Sequence, residues 1–367
     1  MKSNSVCFSV ENYAQLKETY RLWWDNKLDR PIVPIMTCGY DSNRTPSPYS
    51  PLSWESAWDF SVNPDQLVDA HDWNLSRMRW HGDAFPSFNT MWFGPGVLSA
   101  FLGCTPVVGK DTIWFQPPRK DIPIEELHFE MNKNNPYLRR VMNLYEAGME
   151  KWRGNVVMNM VDMGGILDTL ATFRGSENLL MDLYDAPDEV LRCVNELQDM
   201  WFKHFDLFCD IMGPEASGYS HWFGIYCEKP SYIIQSDFSY MISPAMFSEF
   251  VAPELASSAA RMHNTLYHMD GVGELPHLDM LLSTDSIKGI QWTPGAGEPA
   301  ERDWTELYEK ILASGKKLVS CARKPDGRPI DAAKNPGQLF FGDEYFDAGK
   351  DMYAAQAYGA LYGIEIK

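Results

Sequence analysis

A chain of 367 residues with 45% hydrophobic and 22% charged residues has the makeup of a globular protein with a large core, not of a disordered one. Its formal net charge of −18 repels phosphate backbones and anionic headgroups, and no basic patch interrupts it. Nucleic acid and membrane surfaces are therefore excluded as expected partners, and a small-molecule substrate is expected.

The opening MKSNSVCFSVENYAQLK has no apolar signal-type core, and no later segment approaches the roughly 18 uninterrupted apolar residues of a membrane span. A cytoplasmic location is expected, with residues 1–30 as a helical N-terminal extension. RPIVPIMT then reads as an early strand, residues 92–118 as an elaborated loop and helix region, and NVVMNMVD as a later strand. PDEVLRCVNELQDMWFKHFDLF places Val190, Leu191, Val194, Leu197, Trp201, Phe205 and Phe208 at helical spacing behind Pro187, Asp188 and Glu189. A further helix starts at Ser243 as N-cap with Pro244 in its first turn, and Pro253 kinks or splits it.

From there strands and helices alternate. NTLYHMD is a strand, GELPHLDMLLS a short helix, IKGIQWT a strand, DWTELYEKILAS a helix with Asp303 as N-cap and Gly315 past its end, and KKLVSCA a strand. This β-α-β-α-β rhythm means parallel strands with helical crossovers. No repeat, low-complexity tract or linker marks a boundary. The economical fold is an α/β chain forming a single (β/α)8 TIM barrel over residues 1–367, with an elaborated N-terminal region and loops. An open doubly wound sheet is the competing architecture.

The seven cysteines form no CxxC pair and are odd in number, which fits reduced thiols. The informative stretch is TLYHMDG. In an extended chain His268 and Asp270 project to one face, with Tyr267 and Met269 on the other. Two proton-active, metal-competent groups thus share one surface at a strand end. Residue types alone leave a second reading open, in which Asp270 caps the next helix and His268 bonds a backbone carbonyl. Asp237 is a candidate second acid or base. His221, Tyr240, Trp114, Trp222 and Trp292 are candidate pocket residues, part of a heavy load of aromatics that fits a flat or apolar ligand. GPG at 94–96 and the GxG at 271–273 lack a strand-to-helix dinucleotide pattern, so no nucleotide cofactor is implied.

The run SDFSYMISPAMFSEFVAPELASSAARMHNTLYHMDGVGELPHLDMLLSTDSIKGIQWTPGAG, with MGGILDTLATFRGSENLLMDLYDAPDEV before it, resembles the uroporphyrinogen decarboxylase superfamily over roughly residues 155–320. The resemblance implies a (β/α)8 barrel and one of two chemistries, cofactor-free decarboxylation or metal-dependent methyl transfer involving corrinoid proteins. The decarboxylases pair an Arg-rich N-terminal motif with a polycarboxylated substrate, and here PIVPIMTCGYDSNRTP offers only Arg44. Methyl transfer is accordingly the leading expectation, from a small methylated or methoxylated substrate toward a corrinoid carried by a partner protein. A metal-independent lyase or decarboxylase using His/Asp acid-base chemistry is the alternative. The methyltransferases' zinc-binding His-x-Cys corresponds here to His268 and Asp270, and Cys321, Asp343 or Glu344 would complete a set for zinc or another divalent ion acting as Lewis acid. A homo-oligomer is compatible with all of this.

Overall fold

The computed structural model describes residues 6–42, 44–213, 216–299, 302–319 and 336–366. Cys321 lies outside them. In chain order the strands are β1 (Pro34–Cys38), β2 (Met78–Gly82), β3 (Ser87–Phe88), β4 (Thr105–Val108), β5 (Ile113–Gln116), β6 (Val157–Met160) and β7 (Ser220–His221). They continue with β8 (Ile233–Gln235), β9 (Thr265–Asp270), β10 (Ile287–Thr293), β11 (Lys317–Val319), β12 (Leu339–Phe340) and β13 (Glu344–Asp347). Strands β8 to β12 form one parallel sheet in chain order, and β3, β6 and β7 form a second parallel sheet. Ile32, just ahead of β1, bridges Phe340 of β12 in parallel. The chain is thus a mixed α/β fold in which helices connect parallel strands.

The C-terminal rhythm read from the sequence is present. Helices Pro244–Phe250 and Ala252–Arg261 join β8 to β9, and Thr305–Ala313 joins β10 to β11. Ser243 is the N-cap, its Oγ accepting from the Met246 N–H at 3.3 Å, and Pro253 falls in the first turn of the second helix, so the long pattern is split and not merely bent. Pro187–Met212 is a continuous helix of 26 residues. Two segments differ from expectation. Residues 272–277 wind as a 3-10 helix before the α-turns Leu278–Ser283, because Pro276 has no N–H to donate within an α-helix. Residues 92–118 hold the antiparallel hairpin β4–β5, closed where Gly109 N–H donates to the Thr112 carbonyl at 2.8 Å.

Burial follows the strand period. Tyr267 and Met269 are fully buried in the larger apolar cluster, with the helices, whereas Leu266 belongs to a second cluster on the opposite face with Ile233, Val319 and Phe340. The N-terminal helix Val10–Trp24 closes that second cluster with Leu16, Tyr20 and Trp23. Met269→Ala should therefore cost about 2–5 kcal/mol of stability and leave turnover near the parent value, as read by chemical denaturation beside an activity assay. Among the described residues no helix is long and apolar enough to cross a membrane.

Candidate functional site

Register fixes the first feature of the site. Gln235 of β8 pairs with His268 of β9, which pairs with Gln291 of β10, so three polar side chains stand in one row on the Leu266 face, near the carboxyl ends of the strands. Ligands of parallel α/β sheets bind at such ends. His268 Nδ1 bonds the Gln291 amide oxygen, while Gln291 Nε2 donates to Thr293 Oγ1 at 3.0 Å. That chain assigns the proton to Nδ1 and leaves Nε2 as the ring's acceptor. Burial lowers the His268 pKa, against the opposing pull of Gln291, Asp270 and Asp168, so the ring is neutral. The Trp222 indole packs edge-on against it, 5.1 Å between centroids at 88°.

Carboxyl groups surround this row. Asp168 accepts from the backbone N–H groups of Asp237 and Phe238 at 3.1 and 2.7 Å, which positions the turn after β8. Gly165 allows this approach, since a Cβ there would sit 2.3 Å from both Asp168 Oδ2 and the Gln235 carbonyl. Burial, then the charge of Asp237, pushes Asp168 up to about 7. Asp237 also rises to about 7, through the surrounding protein first and the Asp270 and Asp162 charges next, an effect that solvent weakens because the residue is exposed. Asp162 rises to about 7 through burial, opposed by the Gly164 and Gly96 N–H groups. Glu274 is fully buried, accepts from Tyr267 Oη at 2.6 Å and from the Asp270 N–H at 2.9 Å, and is held well above the carboxylate range by burial. The site is an array of carboxyls beside a neutral imidazole.

Asp270 shares the His268 face, as its spacing predicts, and it does not cap the next helix. That 3-10 helix begins after Gly271 without a side-chain cap. Tyr240 joins the site differently: its ring lies over Gly273, where a Cβ would come within 2.5 Å, and beside Gly271, so both glycines of the GxG pack closely on it. Trp222 is brought to His268, but other expected pocket residues are not. Trp292 is the register partner of Met269 and packs on Trp304 at 5.0 Å, on the helix-facing side. His221 is the register partner of Met160, accepts from the Phe223 N–H at 3.3 Å and is driven by burial to about 3, which describes a neutral core histidine. Trp114 is 66% exposed on the hairpin, and Glu344 pairs with Ile35 at β13. Among the described residues no group of three or more His, Cys, Asp or Glu is placed to hold a metal ion. Cys321, the remaining candidate ligand, lies outside the described residues. Arg44 is occupied as well, bonded to Asp72 and to Asp69 at 2.6 Å.

Reading residue types alone passes over Gln235, Gln291, Asp162, Asp168 and Glu274. Their signal is an isolated amide or acid within an apolar run, as in YIIQS, GIQWT and VDMGGILD.

The raised carboxyl of Asp237 has a stability consequence. Folded, it keeps a proton that the unfolded chain releases near 4, so its contribution is fully present below that pH and is lost as pH rises through about 7. Asp237→Asn should thus match the parent's melting temperature at pH 4 and exceed it at pH 8 by on the order of 1–2 °C, the shift being kept small by solvent around the exposed group. Thermal unfolding at the two pH values reads this.

No protein-family model matches the sequence, and no curated protein matches it. Among solved structures, a methyltransferase from Methanosarcina mazei is similar over 94% of this chain and 99% of its own, with a TM-score of 0.57 at 13% sequence identity, and at that identity the likeness is one of fold.

Proposed function

We propose that this chain is a (β/α)8-barrel enzyme of the uroporphyrinogen decarboxylase superfamily that removes a methyl group from a small methylated substrate. The acceptor in this reading is a corrinoid carried by a partner protein. The observation that carries it is the neutral His268 set among protonatable carboxyls at the ends of parallel strands, on a fold shared over nearly its full length with a methyltransferase. The two parallel sheets and the Ile32 to Phe340 bridge support one barrel.

The residues at hand supply proton handling. As the carbon–heteroatom bond of the substrate breaks and the methyl group bonds to the nucleophilic acceptor, the heteroatom retains the electron pair. A protonated carboxyl of Asp237 or Asp168 gives that atom its proton and is left as carboxylate, to be reprotonated from solvent. His268, through Nε2, orients the leaving group by accepting a hydrogen bond from it once it is protonated.

The test is methylation of free reduced cobalamin by a panel of methylated amines, thioethers and methoxy compounds, followed by absorbance. Methylation that disappears in His268→Ala supports the reading. A second reading, a lyase or decarboxylase, is favoured by the same protonated carboxyls, which suit protonation of a carbanion after loss of CO2. Release of CO2 from a carboxylated substrate, with no methylation by any donor, would replace the first reading with the second. Stoichiometric zinc that is lost in Cys321→Ala would instead assign the acid role to a metal held with His268 and Asp270.

A further inference from the structure

A cavity of about 320 Å³ is lined from β1, β2, β3, β6 and β13 and the segments beside them, without direct contribution from the His268 row. Asn89 ties the two together, for it lines the cavity and donates from Nδ2 to the Trp222 carbonyl at 3.0 Å, and the Trp222 ring rests on His268. The volume is within the range of small-ligand sites.

Its walls are aromatic and carry one acid. Trp80, Trp92, Phe85, Phe88 and Tyr345 line it with Asp343, and among the described lining residues there is no lysine or arginine. His71 also lines it but is held neutral: its Nε2–H donates to the Ser87 carbonyl at 2.8 Å, and burial takes its pKa to about 4. The Tyr345 hydroxyl bonds Asp343, and burial pushes that carboxyl up to about 7. Asn159 adds an amide oxygen that is buried with no hydrogen-bond partner among the described residues.

These features select among ligand classes. An anion would meet a carboxyl with no compensating cation among the described lining residues, in a protein of net charge −18. A metal ion held by protein needs several ligands placed together, and among the described residues no group of three or more His, Cys, Asp or Glu is placed to hold one. A neutral aromatic compound would fill the walls and leave Asp343 without a role. An organic cation suits both the rings and the acid, because ring faces attract its positive charge, its methyl groups need no water, and its charge favours the ionised form of Asp343 as counter-ion.

We propose that this chamber binds a methylated ammonium group, with Asp343 as its counter-ion, and that small N-methylated cations are the substrate class. The proposal rests on the methyl-transfer reading for its consequence, but binding to the chamber is measurable without turnover.

The experiment titrates the purified full-length chain with choline and with 3,3-dimethyl-1-butanol, its uncharged isostere, and with anisole as a neutral methoxy probe. Tryptophan fluorescence and calorimetry report binding. Choline should bind saturably and at least tenfold tighter than the isostere, and Asp343→Asn should abolish that preference. Should that variant not fold, Trp92→Leu provides a second check, lowering choline affinity more than isostere affinity. Equal binding of choline and isostere, anisole binding without choline binding, or no saturable binding of any probe would each overturn the proposal. Choline binding with no methyl transfer to cobalamin would sink the reaction assignment and leave the chamber's assignment standing. Methyl transfer from a neutral donor only, with choline excluded, would do the opposite.

Discussion

Replacing His268 with alanine is expected to lower turnover by about 10²–10⁴-fold, the span typical of a lost proton-transfer group. Stability should fall by only about 1–3 kcal/mol, because the Gln291 amide oxygen loses its donor and one ring contact with Trp222 disappears. The two losses have different origins. His268 shares its side of β9 with Asp270, and the strand's buried anchors, Tyr267 and Met269, are on the other side. Asp270→Ala should behave similarly in turnover, since its carboxylate caps no helix. Whichever assay registers activity, methyl transfer or CO2 release, the comparison is of turnover against denaturant midpoint. A variant that keeps its turnover but loses several kcal/mol of stability would make His268 a structural residue.

The pairing of His268 with Asp270 was legible because it depends only on the two-residue period within one strand. The placement of Trp292 was not. Gln291 and Trp292 alternate on β10, but which of them shares a face with His268 depends on the register between β9 and β10, and no local pattern sets that. His221 shows the same limit, ending a two-residue strand whose partner is Met160. The carboxyl cluster required still longer-range information. Asp162 and Asp168 approach Asp237 because the Gly164–Gly165 turn lets that backbone come within reach of the β8 end. The alternation of strand and helix was readable from Ser243 onward, where caps and apolar periodicity agree. Residues 92–118 carried a hairpin that their Gly and Pro content disguised as loop.

Lys317→Met is expected to destabilise the protein by about 3–5 kcal/mol while leaving turnover at low temperature within about twofold. Lys317 is 2% exposed, and its Nζ donates to the Trp23 carbonyl, to Asn26 Oδ1 and to the Gly337 carbonyl at 2.8 Å. Three acceptors thus surround an amine whose pKa burial lowers to about 7, and they are drawn from the N-terminal helix, the residues just past it and the segment leading into β12. The ammonium also lies 4.8 Å from the Trp23 ring. Methionine would keep most of the apolar stem but leave those acceptors buried without a donor, at about 1–3 kcal/mol for each that water cannot reach. The position also predicts the functional outcome. Lys317 opens β11 and pairs with Gly289, two residues before Gln291 on β10, whereas the reactive row lies toward the carboxyl ends of the strands. Damage at the opening end should loosen how the termini are held and leave the His268 row in register. Denaturant unfolding of the variant beside its turnover at 20 °C decides the matter. If stability is unchanged, water satisfies the three acceptors and the lysine is dispensable. If turnover collapses while the fold holds, the two ends of the sheet are coupled in a way that packing alone does not provide.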